Sequence, residues 1–183
     1  MSQMTVGVGG QPVGTYSVAN PVITGVYVFS IANLAGVVAA NTFVTVFNPV
    51  GSGKTVSFSA AFISTVSTAA ASTTPPMRGY RISAAPTGGT VQGAATIAKF
   101  NNLSANAVTE VRTGNPTVTL GPALWNTPPA VTSGVGGGQF VHMVDTPAGS
   151  PPFVLAPGEG IAINCSGGDT DQVWNITVVW AEI

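Results

Sequence analysis

The sequence predicts an all-β protein, an antiparallel β-sandwich, on three observations. Apolar and polar residues alternate with a period of two in several segments, as strands with one buried face require. Turn residues separate these segments, since the 183-residue chain contains 23 Gly and 14 Pro. No apolar pattern with helical spacing continues over the length of an ordinary helix. Two packed sheets or a closed barrel would accommodate the roughly eight to ten strands expected.

The predicted strands follow one another along the chain. The apolar segment 22–47 is interrupted by polar residues and lacks basic flanks, which favours two strands around a turn near 33–36 over a membrane helix. Residues 48–53, rich in turn formers, are expected to form a hairpin loop. In residues 55–62 every second side chain is apolar, which predicts one buried face: Val56, Phe58, Ala60 and Phe62.

The C-terminal half contributes two further strands with clear alternation. Ile161, Ile163 and Cys165 share one predicted face. In the last strand the expected buried face consists of Trp174, Ile176, Val178 and Trp180, with Asn175 and Thr177 opposite.

The chain is expected to form a single domain over residues 21–183, preceded by an extended, Gly-rich arm at residues 1–20. Residues from about 122 to 152 are dense in Pro and Gly. They predict a long surface excursion in which only residues 139–144 form a strand.

Charge limits the possible partners. Lys and Arg number 5 and Asp and Glu number 6, so charged residues make up 6% of the chain, against roughly 25% in an average domain. Binding to nucleic acid or to an anionic membrane requires clustered basic residues, so neither partner is expected. A monomer with so few charges would be poorly protected against association. We therefore expect much of the surface to be covered by copies of the chain or by another protein.

Gly53, Lys54 and Thr55 end like a phosphate-binding loop, but the rest of that motif is missing. The motif requires Gly where this sequence has Asn48, and it requires a helix after the loop, where alternation predicts a strand. These residues are expected to form a turn.

Other reactive side chains do not form a recognisable site in the sequence. His142 could act with Asp145 and a serine, but no Gly-x-Ser-x-Gly elbow is present. Cys165, the single cysteine, is expected to be a small buried hydrophobic residue. Asp169 and Asp171 offer two carboxylates to calcium, which normally takes six to eight oxygens, so metal binding there stays open. No catalytic residue, metal ligand or cofactor is assigned.

Four phrases together resemble virion structural proteins of tailed bacteriophages over residues 25–183. They are NPVGSGK at 48–54, RI at 81–82 followed by GGT at 88–90 and Lys99, LAPGEGI at 155–161, and the closing TVVWAE at 177–182. The family often has an acidic residue where Asn101 and Asn102 stand here.

This resemblance implies a jelly-roll-like sandwich that decorates or cements a capsid, commonly as a homotrimer. It implies the virion as the location and the major capsid protein as the partner, with no catalytic activity. Bridging of neighbouring capsomers adds affinity through multivalency.

Two hypotheses from other classes remain open. A tail, collar or receptor-binding module could recognise host glycans through exposed aromatic residues, for which Tyr16, Trp125 and Trp174 are the candidates. A hydrolase would use His142 together with a carboxylate.

Overall fold

The computed structural model of the chain describes residues 25–35, 40–68, 71–127, 130–133, 138–143, 153–167 and 170–183. These residues form fourteen strands and no helix. The first seven strands are β1 (Gly25–Ala35), β2 (Asn41–Phe47), β3 (Val56–Ser67), β4 (Ala71–Thr74), β5 (Met77–Ile82), β6 (Thr90–Val91) and β7 (Ile97–Lys99). The others are β8 (Glu110–Thr113), β9 (Ala123–Asn126), β10 (Ala130–Ser133), β11 (Gly138–Met143), β12 (Phe153–Leu155), β13 (Gly160–Cys165) and β14 (Gln172–Glu182).

Two six-stranded antiparallel sheets pack against each other, which confirms the predicted β-sandwich. The β14 sheet has the order β11-β3-β14-β1-β7, with β12 also paired to β3. The β13 sheet has the order β6-β8-β2-β13-β5-β9. Strands β4 and β10 form a separate two-stranded ribbon. The structure therefore has more strands than the eight to ten expected, because seven of the fourteen have only two to four residues and are too short to show clear alternation.

The core lies between the two sheets, and β14 has the predicted orientation. Trp174, Ile176, Val178 and Trp180 are buried, whereas Asn175 and Thr177 are half-buried on the outer side.

The predicted buried face of β3 is correct only in its first half. Trp180 pairs with Phe58 and Val179 with Ala60, so Ser59 is an extra residue that forms a β-bulge. Val56 and Phe58 are buried as predicted, but the bulge exchanges the two faces beyond it. Consequently Ala60 and Phe62 lie on the outer side and Ala61 and Ile63 point into the core.

The predicted hairpin at 48–53 is wrong, because β2 belongs to the β13 sheet and β3 to the β14 sheet. The segment is a connection between sheets. The two strands predicted in 22–47 are present as β1 and β2, again in different sheets. Asn33, expected in the turn, lies inside β1 with φ 60° at a bulge between Ile31 and Leu34.

The segment 122–152 contains strands β9 and β10 in addition to the predicted strand, which is β11. The predicted arm at 1–20 lies outside the described residues. Among the residues that the structure describes, no helix is long and apolar enough to cross a membrane.

Candidate functional site

One end of the sandwich, called here the loop end, combines the segments 48–55, 100–109 and 156–159 with Ile183. Register places them together: Glu182 at the end of β14 pairs with Gly25 at the start of β1 and with Val56 at the start of β3. Phe47 and Gly160 pair at the same end of the other sheet. The chain N-terminal to Gly25 therefore joins the domain at the loop end.

Large apolar side chains are exposed at the loop end. Leu103 is 93% exposed and Val50 is 83% exposed, and Phe100, Val108 and Ile183 are exposed as well. These are five of the nine exposed large hydrophobic side chains in the described part of the chain. Exposed apolar surface that is concentrated in one region marks an interaction site more often than scattered residues do.

A buried carboxylate holds the longest of these loops in place. Glu182 is 3% exposed and accepts hydrogen bonds from the backbone N–H of Val108 at 3.0 and 3.1 Å and of Thr109 at 2.9 Å. The Thr109 hydroxyl donates to Glu182 Oε1 at 2.6 Å. Since a buried carboxylate is stable only when its oxygens are hydrogen-bonded, the loop and the carboxylate fix each other.

Tyr27 and Lys99 attach the rest of the loop. Tyr27 stacks on Trp180 with ring centroids 5.8 Å apart and donates its hydroxyl proton to the Ala105 carbonyl at 2.9 Å. Burial, and secondarily the Glu182 carboxylate, raises the pKa of Tyr27 above its ordinary value of 10.0. Lys99 Nζ donates to the Ser104 carbonyl at 2.9 Å. The loop at 100–109 is therefore held at several points while its apolar side chains face outward.

A cavity of about 250 Å³ lies beneath this loop, lined by Gly25, Tyr27, Lys54, Glu182 and residues of the segment 103–108. The carboxylate in it already accepts bonds from two amides and a hydroxyl, which leaves it poorly placed to act as a nucleophile or base. The arrangement positions a loop rather than a reacting group.

Asn48 holds the other two segments of the loop end, 48–55 and 156–159, in place. Its side-chain Nδ2 donates to the carbonyls of Lys54 at 2.8 Å and Leu155 at 3.0 Å. Its backbone N–H donates to the Glu159 carbonyl at 2.8 Å, and its carbonyl accepts from Gly158 N–H at 2.7 Å. The phrases NPVGSGK and LAPGEGI are thus in direct contact through one buried residue.

Gly53, Lys54 and Thr55 do not form the predicted turn, which lies at Val50 and Gly51; they lead directly into β3, so a strand and not a helix follows them. Gly51 and Gly53 have positive φ values of 81° and 65°, which suit glycine in a tight connection. No helix N-terminus faces this segment in the described residues. The helix that a phosphate-binding loop requires directly after it is therefore missing here.

The aromatic candidates for glycan contact do not form an exposed platform. Trp174 is 2% exposed in the core, so its assignment to the surface is wrong: it lies on the inward face of β14. Trp125 is half-buried and packs against the core, with its ring over Gly79. Tyr16 lies outside the described residues.

The remaining candidates are not brought together. His142 pairs with Phe62 in the backbone register of β11 and β3, and Asp145 and Asp169 lie outside the described residues. Cys165 is buried as predicted, and burial raises the pKa of its thiol. Asp171 is exposed. In the described residues, no three His, Cys, Asp or Glu side chains come close enough to hold a metal ion.

Sequence reasoning gave no role to Glu182 or Tyr27, and it treated Asn48 only as a turn residue. A signal for Glu182 was present: the acid occupies the next inward position after Trp174, Ile176, Val178 and Trp180. A charged residue that continues a buried face needs a partner.

No family model matches the sequence, and no curated protein and no solved structure matches it. Function must therefore be argued from the chain's own residues.

Proposed function

We propose that the chain is a structural virion protein that decorates or cements a bacteriophage capsid as a homo-oligomer, with trimeric assembly expected. The observation that carries the proposal is the loop end, where apolar side chains are exposed on loops that buried Glu182 and Asn48 hold in place. The resemblance of NPVGSGK, LAPGEGI and TVVWAE to virion proteins supports it, since two of these phrases supply the buried residues.

Fixed loops with apolar tips suit binding to a large protein surface. Little conformational entropy is lost when a loop that is already ordered meets its partner. The chain before Gly25 enters at the same end, so an arm at residues 1–20 and the loop tips would contact the capsid together. An extended arm gains backbone hydrogen bonds by strand addition, and many copies on one shell add their weak contacts.

The alternative, a glycan-binding tail or collar module, has less support. Of its three aromatic candidates, Trp174 is buried and Trp125 packs against the core. Four of the five exposed apolar side chains at the loop end are aliphatic and only Phe100 is aromatic, which favours a protein partner over a sugar bound on an aromatic platform.

The proposal is tested on phage particles from the strain that carries the gene. Mass spectrometry of purified particles should detect the chain, and electron microscopy should locate it on the capsid. Particles without the chain, or with the chain on the tail, would reject capsid decoration.

The loop end is tested by binding of purified protein to particles assembled without it. Leu103→Ser and Phe100→Ser together should lower binding at least tenfold. Val91→Ser is the matched control, because Val91 is 52% exposed but lies on β6, away from the loop end. Equal binding by the wild type, the double variant and Val91→Ser would show that the loop end does not contact the particle.

Deletion of residues 1–20 tests the arm separately. Attachment to particles should weaken while the unfolding transition of the domain is unchanged. Unchanged attachment would leave the loop tips as the whole contact.

A further inference from the structure

No described strand of the β14 sheet places an Asp, Glu, Lys or Arg on its outer face, and His142 of β11 pairs with the outward Phe62 at one edge. This uncharged face consists of every second residue of β14 from Val173 to Ala181 and of their neighbours in register on β1, β3, β7 and β12. The row across its centre runs through Ala60, Val179, Val28 and Ala98. A protein surface of this extent ordinarily contains several charged residues.

The uncharged face is open to contact. Val66 is 40% exposed and Val154 is 45% exposed, and Ser30 and Ala98 are exposed too. The buried apolar cluster that includes Trp180 and Ile176 lies on the other side of this sheet. The row next to the aliphatic one runs through Phe62, Thr177 and Ser30. The hydroxyls of Ser30 and Thr177 in it are bonded to each other at 2.8 Å.

We propose that the uncharged face is the surface through which copies of this chain assemble, each copy turning it toward its neighbours in a closed homo-oligomer. Burial of this face against neighbouring copies takes no Asp, Glu, Lys or Arg of its strands out of water and brings no like charges of these residues together. The hydroxyls of Ser30 and Thr177 share one hydrogen bond and are neutral, so they require no partner of opposite charge.

The area agrees with this use. Strands of 11 residues in β1 and β14 and of 12 in β3 are long for a sheet. With a rise of ~3.3 Å per residue and ~4.8 Å between strands, these three strands together with the short β7 and β12 span roughly 600–700 Å². A standard interface buries about 800 Å² per partner, so the face nearly accounts for one by itself.

The inference rests on the homo-oligomer in the proposed function, but its test needs no phage particle. Purified wild-type chain should sediment at micromolar concentration as a multiple of its 18.3 kDa mass. Val179→Lys, which places a charge at the centre of the face, should sediment as a single chain with an unchanged β-type circular dichroism spectrum. Val91→Lys, the matched control on the other sheet, should remain assembled. A monomeric wild type, or an assembled Val179→Lys, would overturn the inference.

Cross-linking covers the case in which Val179→Lys does not fold. Thr177→Cys should be joined between copies by a short bis-maleimide, whereas Thr117→Cys, exposed on the opposite side, should not. Cys165 is fully buried and gives little background. Cross-linking of Thr117→Cys alone would contradict the inference.

The two proposals can fail separately. Absence from particles rejects the virion role and leaves the sedimentation result standing. If Val179→Lys stays assembled but no longer binds particles, the face contacts the capsid and the inference about copies is wrong.

Discussion

The two outer faces of the sandwich differ in how they meet the solvent. The outer side of the β13 sheet carries Arg78, Glu110 and Arg112, and Arg112 bonds both to Glu110 at 2.6 Å and to the Gly88 carbonyl at 2.8 Å. The strands of the β14 sheet place no Asp, Glu, Lys or Arg on its outer side in the described residues, where His142 of β11 is the titratable residue.

The chain's own loops also cover part of the β13 sheet. Phe47, Ile82 and Ala162 form a small buried cluster on its outer side, with Val118 packed against it. One face is therefore completed by the chain itself through loops and ion pairs. The other has the composition of a surface that a second molecule completes. The scarcity of charged residues in the sequence is therefore concentrated on the outer side of the β14 sheet.

The largest effect is expected in the core between the faces. Trp180→Ala should lower the free energy of unfolding by about 3–5 kcal/mol, because it leaves a cavity and removes the stacking partner of Tyr27. Thr177→Ala, on the outer side of the same strand, should change it by less than about 1 kcal/mol. Urea unfolding of both variants measures the difference, and equal losses would contradict the assigned register of β14.

This alternation in β14 could be predicted from the sequence, since each residue's side follows from its position in a regular strand. The exchange of faces in β3 could not, because nothing local marks Ser59 as a bulge. Period-two patterns also say nothing about which sheet a strand joins, so the connection at 48–53 was expected to be a hairpin.

The candidate site was harder to predict than the fold. The hydrogen-bond donors to Glu182 are amides 73 and 74 residues away along the chain, and such contacts exist only after the sheets have packed. Asn48 could be recognised as a turn residue, but its bond to the Leu155 carbonyl spans 107 residues.

The next effect concerns the covered face. Ile82→Ala should lower the free energy of unfolding by about 2–5 kcal/mol, because Ile82 is fully buried in the cluster with Phe47 and Ala162. The mass of the assembled species in sedimentation should stay unchanged. Dissociation on this substitution would show that the β13 sheet contributes to assembly, and the contrast between faces would then be wrong.

A smaller, pH-dependent effect is expected at Tyr27, below the loop end. The raised pKa means that the folded protein holds the phenol proton more tightly than the unfolded chain, so this stabilisation is complete below pH 10.0 and is lost as the pH rises above it. Tyr27→Phe removes the hydrogen bond to Ala105 and should cost about 0.5–1.5 kcal/mol near neutral pH.

Unfolding at pH 8 and pH 10.5 tests this sign. The Cys165 thiol, whose pKa is also raised, titrates in both proteins and cancels in the comparison. The loss of stability between the two pH values should be smaller in Tyr27→Phe than in the wild type. A larger loss in the variant would contradict the assigned cause.

The smallest expected effect comes from the same substitution, Val→Thr, made once on each outer face. It compares the two faces directly. Val28→Thr lies at the centre of the uncharged face and Val118→Thr lies against the covering cluster. Each exchanges a methyl group for a hydroxyl of similar size, so the main change is that a polar group replaces an apolar contact. In Val28→Thr the free energy of unfolding of the single chain should change by less than about 0.5 kcal/mol. The dissociation constant of the oligomer should rise several-fold, since about 1.4 kcal/mol lost from an interface is a tenfold change.

Val118→Thr should give the opposite pair of results, with a measurably lower free energy of unfolding and an unchanged dissociation constant. If both variants weaken unfolding and neither weakens assembly, the outer faces are alike in function.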